Sequence, residues 1–304
     1  MSGSSVDPDP LKHVTLYVRA GHDGEGYGAC PFCQRFYMVL DLKSKGGALT
    51  YDVITVDPAH PSDEFRKFAN RLPVIKHMNE VVIDTEEIQN YLEEKFPYPD
   101  LSYTNMDAHT ACLDIFSKFS FFIKNVSHTP DHLLKELNYL DYFLARSDNR
   151  FTCGNHLTYL DCNVLPKLQH IRVASEAFQD FHIPAELTAL WRYLNNAYRE
   201  DTFRKTCPSD QEIVHHWADK KETAPLPEKK HKLYALESTP RFSLQLPAYV
   251  LQNPQQDDLR LSGPPSGQGA GGVTRTCDRI APADLNTDSL ATVPPTPLVE
   301  RADD

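Results

Sequence analysis

The chain contains no run of about 18 apolar residues, the length a helix needs to cross a bilayer. Its most apolar candidate, FCQRFYMVLDLKSKGGALTYDVITV from Phe32 to Val56, is interrupted by Arg35, Asp41, Lys43, Lys45 and Asp52. Hydropathy alone therefore assigns no span. A large basic cluster is missing too: the formal net charge is -11, and Lys229-Lys230-His231-Lys232 is a short, isolated basic run. Nucleic acid, which is held mainly by clustered Lys and Arg, is excluded as a general partner. The first residues show no basic-then-apolar leader, so a cytoplasmic location is expected. Seven cysteines, odd in number and irregularly spaced, do not make a secreted disulfide framework.

What is present is uneven along the chain. From Glu222 onward the sequence is rich in Pro, Gly, Ser and Gln and carries no sustained apolar periodicity. Such a segment buries too little apolar surface to offset the entropy of ordering it. The expected organisation is a disordered N-terminus over 1–12, an α/β domain over 13–100, an all-helical domain over 101–222 and a disordered tail over 223–304.

Within the first domain, HVTLYVR from His13 to Arg19 alternates as a strand does. A glycine-dotted loop follows, then Pro31 in the first turn of a helix that Gly46-Gly47 ends. Thr50 to Val56 predicts a second strand, and Ser62 to Phe68 predicts one or two helical turns. Leu72 to Lys76 and Glu80 to Ile83 flank a turn as a hairpin, and Asp84 with Glu87 opens a helix as a capping box. The order β-α-β-α-β-β-α, with Cys-Pro-Phe-Cys between the first strand and first helix, is that of a thioredoxin-like fold. Beyond Asp107 apolar residues recur at helical spacing through Tyr198, and Thr158 with Asp161 marks one helix start.

The pair Cys30 and Cys33 admits three readings: a redox centre, half of a metal site, or two buried thiols. A zinc site needs two more ligands, and no second Cys-x-x-Cys is present. No metal is therefore assigned. With Pro31 as the first helical residue, Cys30 falls at the N-cap, where free amides and the helix dipole favour a thiolate. Cys30 is then the attacking thiol, and Cys33, one turn on, the resolving one.

GACPFCQRFYMVLDLK, RLPVI, VVIDTEEIQNYLEE, LDIFSKFSFFIKN, LTYLDCNVLPKLQHI and IPAELTALWRYLNNAYREDTFRKTCPSD resemble the chloride intracellular channel family, itself related to the omega-class glutathione transferases. The resemblance runs from about Leu16 to Pro208. It implies a glutathione-transferase-like fold, with an N-terminal thioredoxin-like α/β domain and a C-terminal all-α domain. It also implies glutathione as cosubstrate. Cys30 would form the mixed disulfide, Leu72-Pro73 the cis-proline junction, and the Val74 backbone would align the peptide. Asp84 and Thr85 would hold the γ-glutamyl end, and Arg19 and Phe32 would lie beside the site. Asp84 and Thr85 also read simply as a helix cap, and Arg19 as a solvated strand end.

The resemblance further implies conditional insertion into membrane lipids and chloride conductance through about Phe32 to Val53, with Arg35 and Lys43 as basic pore residues. An ordinary solvent-facing basic pair on a helix explains those two residues equally. Asp41 and the polar turn KSKGGAL depart from the family pattern and weigh against spontaneous insertion, since a charge near a bilayer centre costs about 2.5 to 3.5 kcal/mol. The connection ARSDNRFTCGNHL lacks the long acidic loop of vertebrate members, which points to an invertebrate-type member, and ASEAFQDF stands where a nuclear-import cluster occurs in some. Two functions from different classes follow: a glutathione-dependent thiol-disulfide oxidoreductase of glutaredoxin or dehydroascorbate-reductase type, and a non-catalytic module linking membranes or cytoskeletal proteins to partners.

Overall fold

Val14, Leu16 and Val18 alternate along strand β1 (His13–Arg19) and are fully buried. β1 is thus an interior strand, with the core on one face. In the computed structural model, which describes residues 9–253, β1 pairs in parallel with β2 (Thr50–Val56) and antiparallel with β3 (Val74–His77). β3 turns through Met78, at φ 53°, into the antiparallel β4 (Glu80–Val82), giving a four-stranded sheet of order β2-β1-β3-β4. Helix α1 (Pro31–Lys45) connects β1 to β2, α2 (Asp63–Arg66) is short, and α3 (Thr85–Lys95) follows β4. The element order expected from the sequence is present, with Pro73 lying just before β3, where no ladder donor is needed.

The second half is helical: α4 (Met106–Leu113), α5 (Ile115–Ile123), α6 (Asp131–Ala145), α7 (Tyr159–Gln179), α8 (Thr188–Arg199), α9 (Asp201–Thr206) and α10 (Asp210–Ala218). The apolar run after Asp107, continuous in the sequence, breaks at Asp114, which serves as C-cap of α4 and N-cap of α5. α7 is buried on nearly every face and packs against α1, α5 and α10. Its start carries the expected capping box. The Asp161 carboxylate takes the Thr158 amide at 2.9 Å and also the hydroxyls of Thr152 and Tyr193. One buried carboxylate thereby ties the preceding loop, α7 and α8 together.

Residues 223–253 correct the expected extent of the tail. They form a strap over the helices, with two single turns, α11 (Glu228–His231) and α12 (Ala248–Leu251). Tyr234 is 4% exposed and Val250 0%. Arg172 of α7 donates to the carbonyls of Ser243 and Gln245 at 2.8 and 2.7 Å, and Asp210 of α10 accepts from the Ser243 amide and hydroxyl. The strap has no periodicity because each anchor fills its own recess and its backbone groups are satisfied by side chains of the helices beneath. The expectations for 1–8 and 254–304 fall outside the described residues.

Candidate active site

The β1–α1 loop delivers Cys30 to the N-cap of α1, in extended conformation (φ −120°, ψ 114°), and Pro31 occupies the first turn. The Cys33 amide donates to Cys30 Sγ at 3.5 Å, the Phe32 amide also acts on that sulfur, and Cys30 keeps partial exposure. Cys33 is fully buried, and its sulfur accepts from the Arg19 amide at 3.4 Å. The Cys30 thiol is lowered to about 7, first by a hydrogen bond from the Cys33 side chain, against the opposing effect of burial, then by the two helix amides and the Arg19 charge. Cys33 is pushed well up, by burial and by the neighbouring Cys30. The two thiols are therefore unequal: Cys30 carries the charge and Cys33 holds the proton that stabilises it.

The other residues expected around the thiol divide into two groups. Leu72-Pro73 is a cis peptide, and Val74 is paired with Tyr17 of β1, so this junction sits on the β3 side of the thiol strand. On the same side Asp84 caps α3, its carboxylate accepting from the Glu86 and Glu87 amides at 2.9 and 3.3 Å, with Arg71 at 3.4 Å. Thr85 is the first residue of α3. Arg19, whose amide meets Cys33 and whose charge acts on Cys30, lines a polar pocket formed by the β1–α1 loop, the residues after β2 and one face of α10. Phe32 turns its ring towards the helical half, 6.1 Å from Phe116 edge to face, with Lys167 Nζ 5.5 Å from both rings.

Arg35 and Lys43 are not a solvent-facing pair. Lys43 is fully buried and its ammonium donates to Glu93 at 2.6 Å and to the carbonyls of Phe96 and Pro99 at 2.7 and 3.1 Å. It satisfies the C-terminal end of α3, where carbonyls lack helical partners. Arg35 is half-buried and donates to Gln89 of α3. The helix period alone conceals this, because α1 packs against α7 and α9 while its basic side chains reach Gln89 and Glu93 of α3. Among the described residues no helix is long and apolar enough to cross a membrane.

Sequence reasoning passed over two features, the partners of Asp41 and a polar pocket. Asp41, 2% exposed, accepts from Tyr51, Thr202 and Lys205 and pairs with Lys45, joining α1 to α9. The polar pocket beside Arg19 gathers His22, His215 and His216 with Asp57 and Glu212. Its residues come from four separate stretches, so only a tandem His215-His216 on a helix marked it in the sequence.

Residues 12–99 match the model of the CLIC-like N-terminal domain. Among solved structures, the chain is similar to the CLIC homologue EXC-4 from C. elegans, at 26% identity over 82% of this chain and 97% of that one, with a TM-score of 0.70. It is also similar to dehydroascorbate reductase from Chlamydomonas reinhardtii, at 24% identity over 67% of this chain and 96% of that one, with a TM-score of 0.59. A third likeness is to Leishmania TDR1, described as a unique trimeric glutathione transferase, at 16% identity over 67% and 48% of the two chains, TM-score 0.55. The fold is glutathione-transferase-like, a small mixed α/β sheet domain followed by a helical region.

Proposed function

We propose, from the premise that residues 12–99 form a CLIC-like N-terminal domain within a glutathione-transferase-like fold, that the chain is a glutathione-dependent thiol-disulfide oxidoreductase of the glutaredoxin type. The Cys30 thiolate attacks a glutathione mixed disulfide, takes the glutathionyl sulfur into a new S–S bond and releases the other sulfur as a thiolate. A second glutathione thiolate attacks the glutathionyl sulfur, forms glutathione disulfide and returns Cys30 as thiolate. Cys33 is the alternative resolving group, closing a Cys30–Cys33 disulfide and releasing glutathione. Val74 and the α3 N-terminus at Asp84 and Thr85 align the peptide on the β3 side, where backbone amides suit its carboxylate.

The observation that carries this reading is the unequal thiol pair at the start of α1, with Cys30 lowered to about 7 and partly exposed while Cys33 stays protonated and buried. The names of similar structures, a dehydroascorbate reductase and a glutathione transferase, support it. Insertion of Phe32 to Val53 into lipid is less favoured, because it unpairs Asp41 and Lys43, both buried with their partners in this conformation.

The test is glutathione-coupled reduction of a small mixed disulfide. Activity is expected in the wild-type chain and its loss in Cys30→Ser, with a Cys30–glutathione adduct visible by mass. Absence of both turnover and adduct sinks the enzyme reading and leaves the binding module, whose partners, cytoskeletal or membrane, are then sought with the same Cys30→Ser chain.

A further inference from the structure

The pocket lined by Arg19 has a volume of about 350 Å³, and Ala29, the residue before Cys30, is part of its wall. Strand β1 separates part of it from the glutathione-aligning groups: the sheet order is β2-β1-β3-β4, Val74 begins β3, and one wall of the pocket is Asp57 to His60, just after β2. Arg19, whose charge acts on Cys30, lines it as well.

The lining specifies a charge. Three of the four acidic side chains of the wall are engaged by the protein itself. Asp23 accepts from the Glu25 and Gly26 amides, Asp57 from the Ala59 amide and His60, and Glu212 from the His22 amide. Asp219, the fourth, is exposed. Arg19 is half-buried and its guanidinium has no ion-pair partner among the described residues. His216 also lines the pocket, and its buried Nδ1 has no hydrogen-bond partner. A half-buried guanidinium outside any ion pair, next to an imidazole with an unpartnered ring nitrogen, can take up an anion.

We infer that this pocket receives the leaving thiol of the exchange, and that this thiol is small and carries a carboxylate, held by Arg19 and by a ring N–H of His216. The inference rests on the thiol-transfer reading and adds the class of the second substrate to it. Cys30 Sγ bonds to the glutathionyl sulfur, the old S–S bond breaks, and its electron pair leaves on the sulfur of the carboxylate-bearing thiol, which takes a proton from solvent. No further oxidant or reductant enters.

The experiment compares the mixed disulfides of glutathione with 3-mercaptopropionate and with 3-mercaptopropionamide, which differ in one charge. The kcat/KM ratio, acid over amide, is expected to be about tenfold or more in the wild-type chain. It should fall towards one in Arg19→Gln and in Ala59→Trp, which fills the pocket from an exposed position. The ratio cancels any effect of Arg19 on the thiol itself. A wild-type ratio near one, or a ratio unmoved in both variants, overturns the proposal. Binding is read separately in the Cys30→Ser chain by following the histidine ring resonances during titration with butyrate, whose methyl replaces the thiol. Saturable shifts, lost in Ala59→Trp, support the anion site even if neither disulfide is turned over, a result that sinks only the thiol-transfer reading. No shift in the Cys30→Ser chain overturns the site itself.

Discussion

The carboxylate of Asp41, on α1, meets the ammonium of Lys205, on α9, at 2.7 Å across 164 residues of sequence. Lys45 completes a second ion pair at 2.7 Å, and Thr202 and Tyr51 donate from either side. Burial opposes the charge, but these four partners outweigh it and bring the carboxyl down to about 2. Asp41→Asn is expected to cost about 3 kcal/mol at pH 7, in the range seen when one member of a buried pair is removed. Because the folded-state pKa lies below the unfolded one, this stabilisation is present at pH 5 and above and disappears as pH falls through 4 towards 2. Urea titrations of both proteins should show the gap reduced by about half at pH 3. An undiminished gap at that pH would mean that the charge on Asp41 is not what stabilises the junction.

The Cys30–Cys33 asymmetry has its own readout. Alkylation of Cys30 by iodoacetamide should rise with pH through a midpoint near 7, while Cys33 remains unmodified in the folded chain. The first cause of the lowered thiol is the Cys33 S–H. Cys33→Ala therefore should move the midpoint up by about one unit, the scale of one lost hydrogen bond to a charged form. An unmoved midpoint assigns the effect to the helix amides alone.

Lys43 makes a third case. Its ammonium has three acceptors and no exposure, whereas Glu93 beside it is 26% exposed. Lys43→Met leaves two carbonyls and a carboxylate without their donor, and a loss of about 3 kcal/mol is expected by urea unfolding. A loss under about 0.5 kcal/mol, normal for a surface lysine, would contradict the burial described here.

These three residues show where the sequence was readable. Cys30 was legible because its chemistry is local: Pro31 places the helix start, and the start places the amides. The strand pattern of β1 was legible for the same reason, since period two declares which face is buried. Lys43 and Asp41 were not, because their partners belong to α3 and α9, and a helix pattern does not reveal how many faces other elements cover. The pocket beside Arg19 is harder still, being assembled from the ends of two strands, a loop and α10.

The strap gives a fourth prediction. Ending the chain at Glu222 removes Tyr234 and Val250 from their buried positions and leaves Arg172, Gln169 and Asp210 without their partners at Ser243. The thermal midpoint should drop by several degrees, since two apolar side chains contribute about 1.5–3 kcal/mol each before the entropy of ordering the strap is subtracted. A disordered tail would give no drop at all, so the midpoint of the truncated chain separates the two descriptions without reference to function.

Acid stability tests the helical core. His170 is fully buried, its Nδ1 accepts from Trp217 Nε1 at 3.1 Å, and burial lowers it to about 3. His216, with its ring 5.5 Å away, is also held well below the usual range, first by burial and then by positive neighbours. Both rings stay neutral in the folded chain at pH values where the unfolded chain binds protons. Their effect is therefore full stability above about pH 6.5 and a progressive loss below it, about 2 kcal/mol at pH 5 for His170 alone. His170→Gln keeps an acceptor for Trp217 and removes one titrating group. Between pH 6.5 and 5 the unfolding free energy of the variant should fall less steeply than that of the wild-type chain, by close to one proton per molecule. Equal slopes would show that the ring is protonated in the folded state or solvated in a way its burial denies.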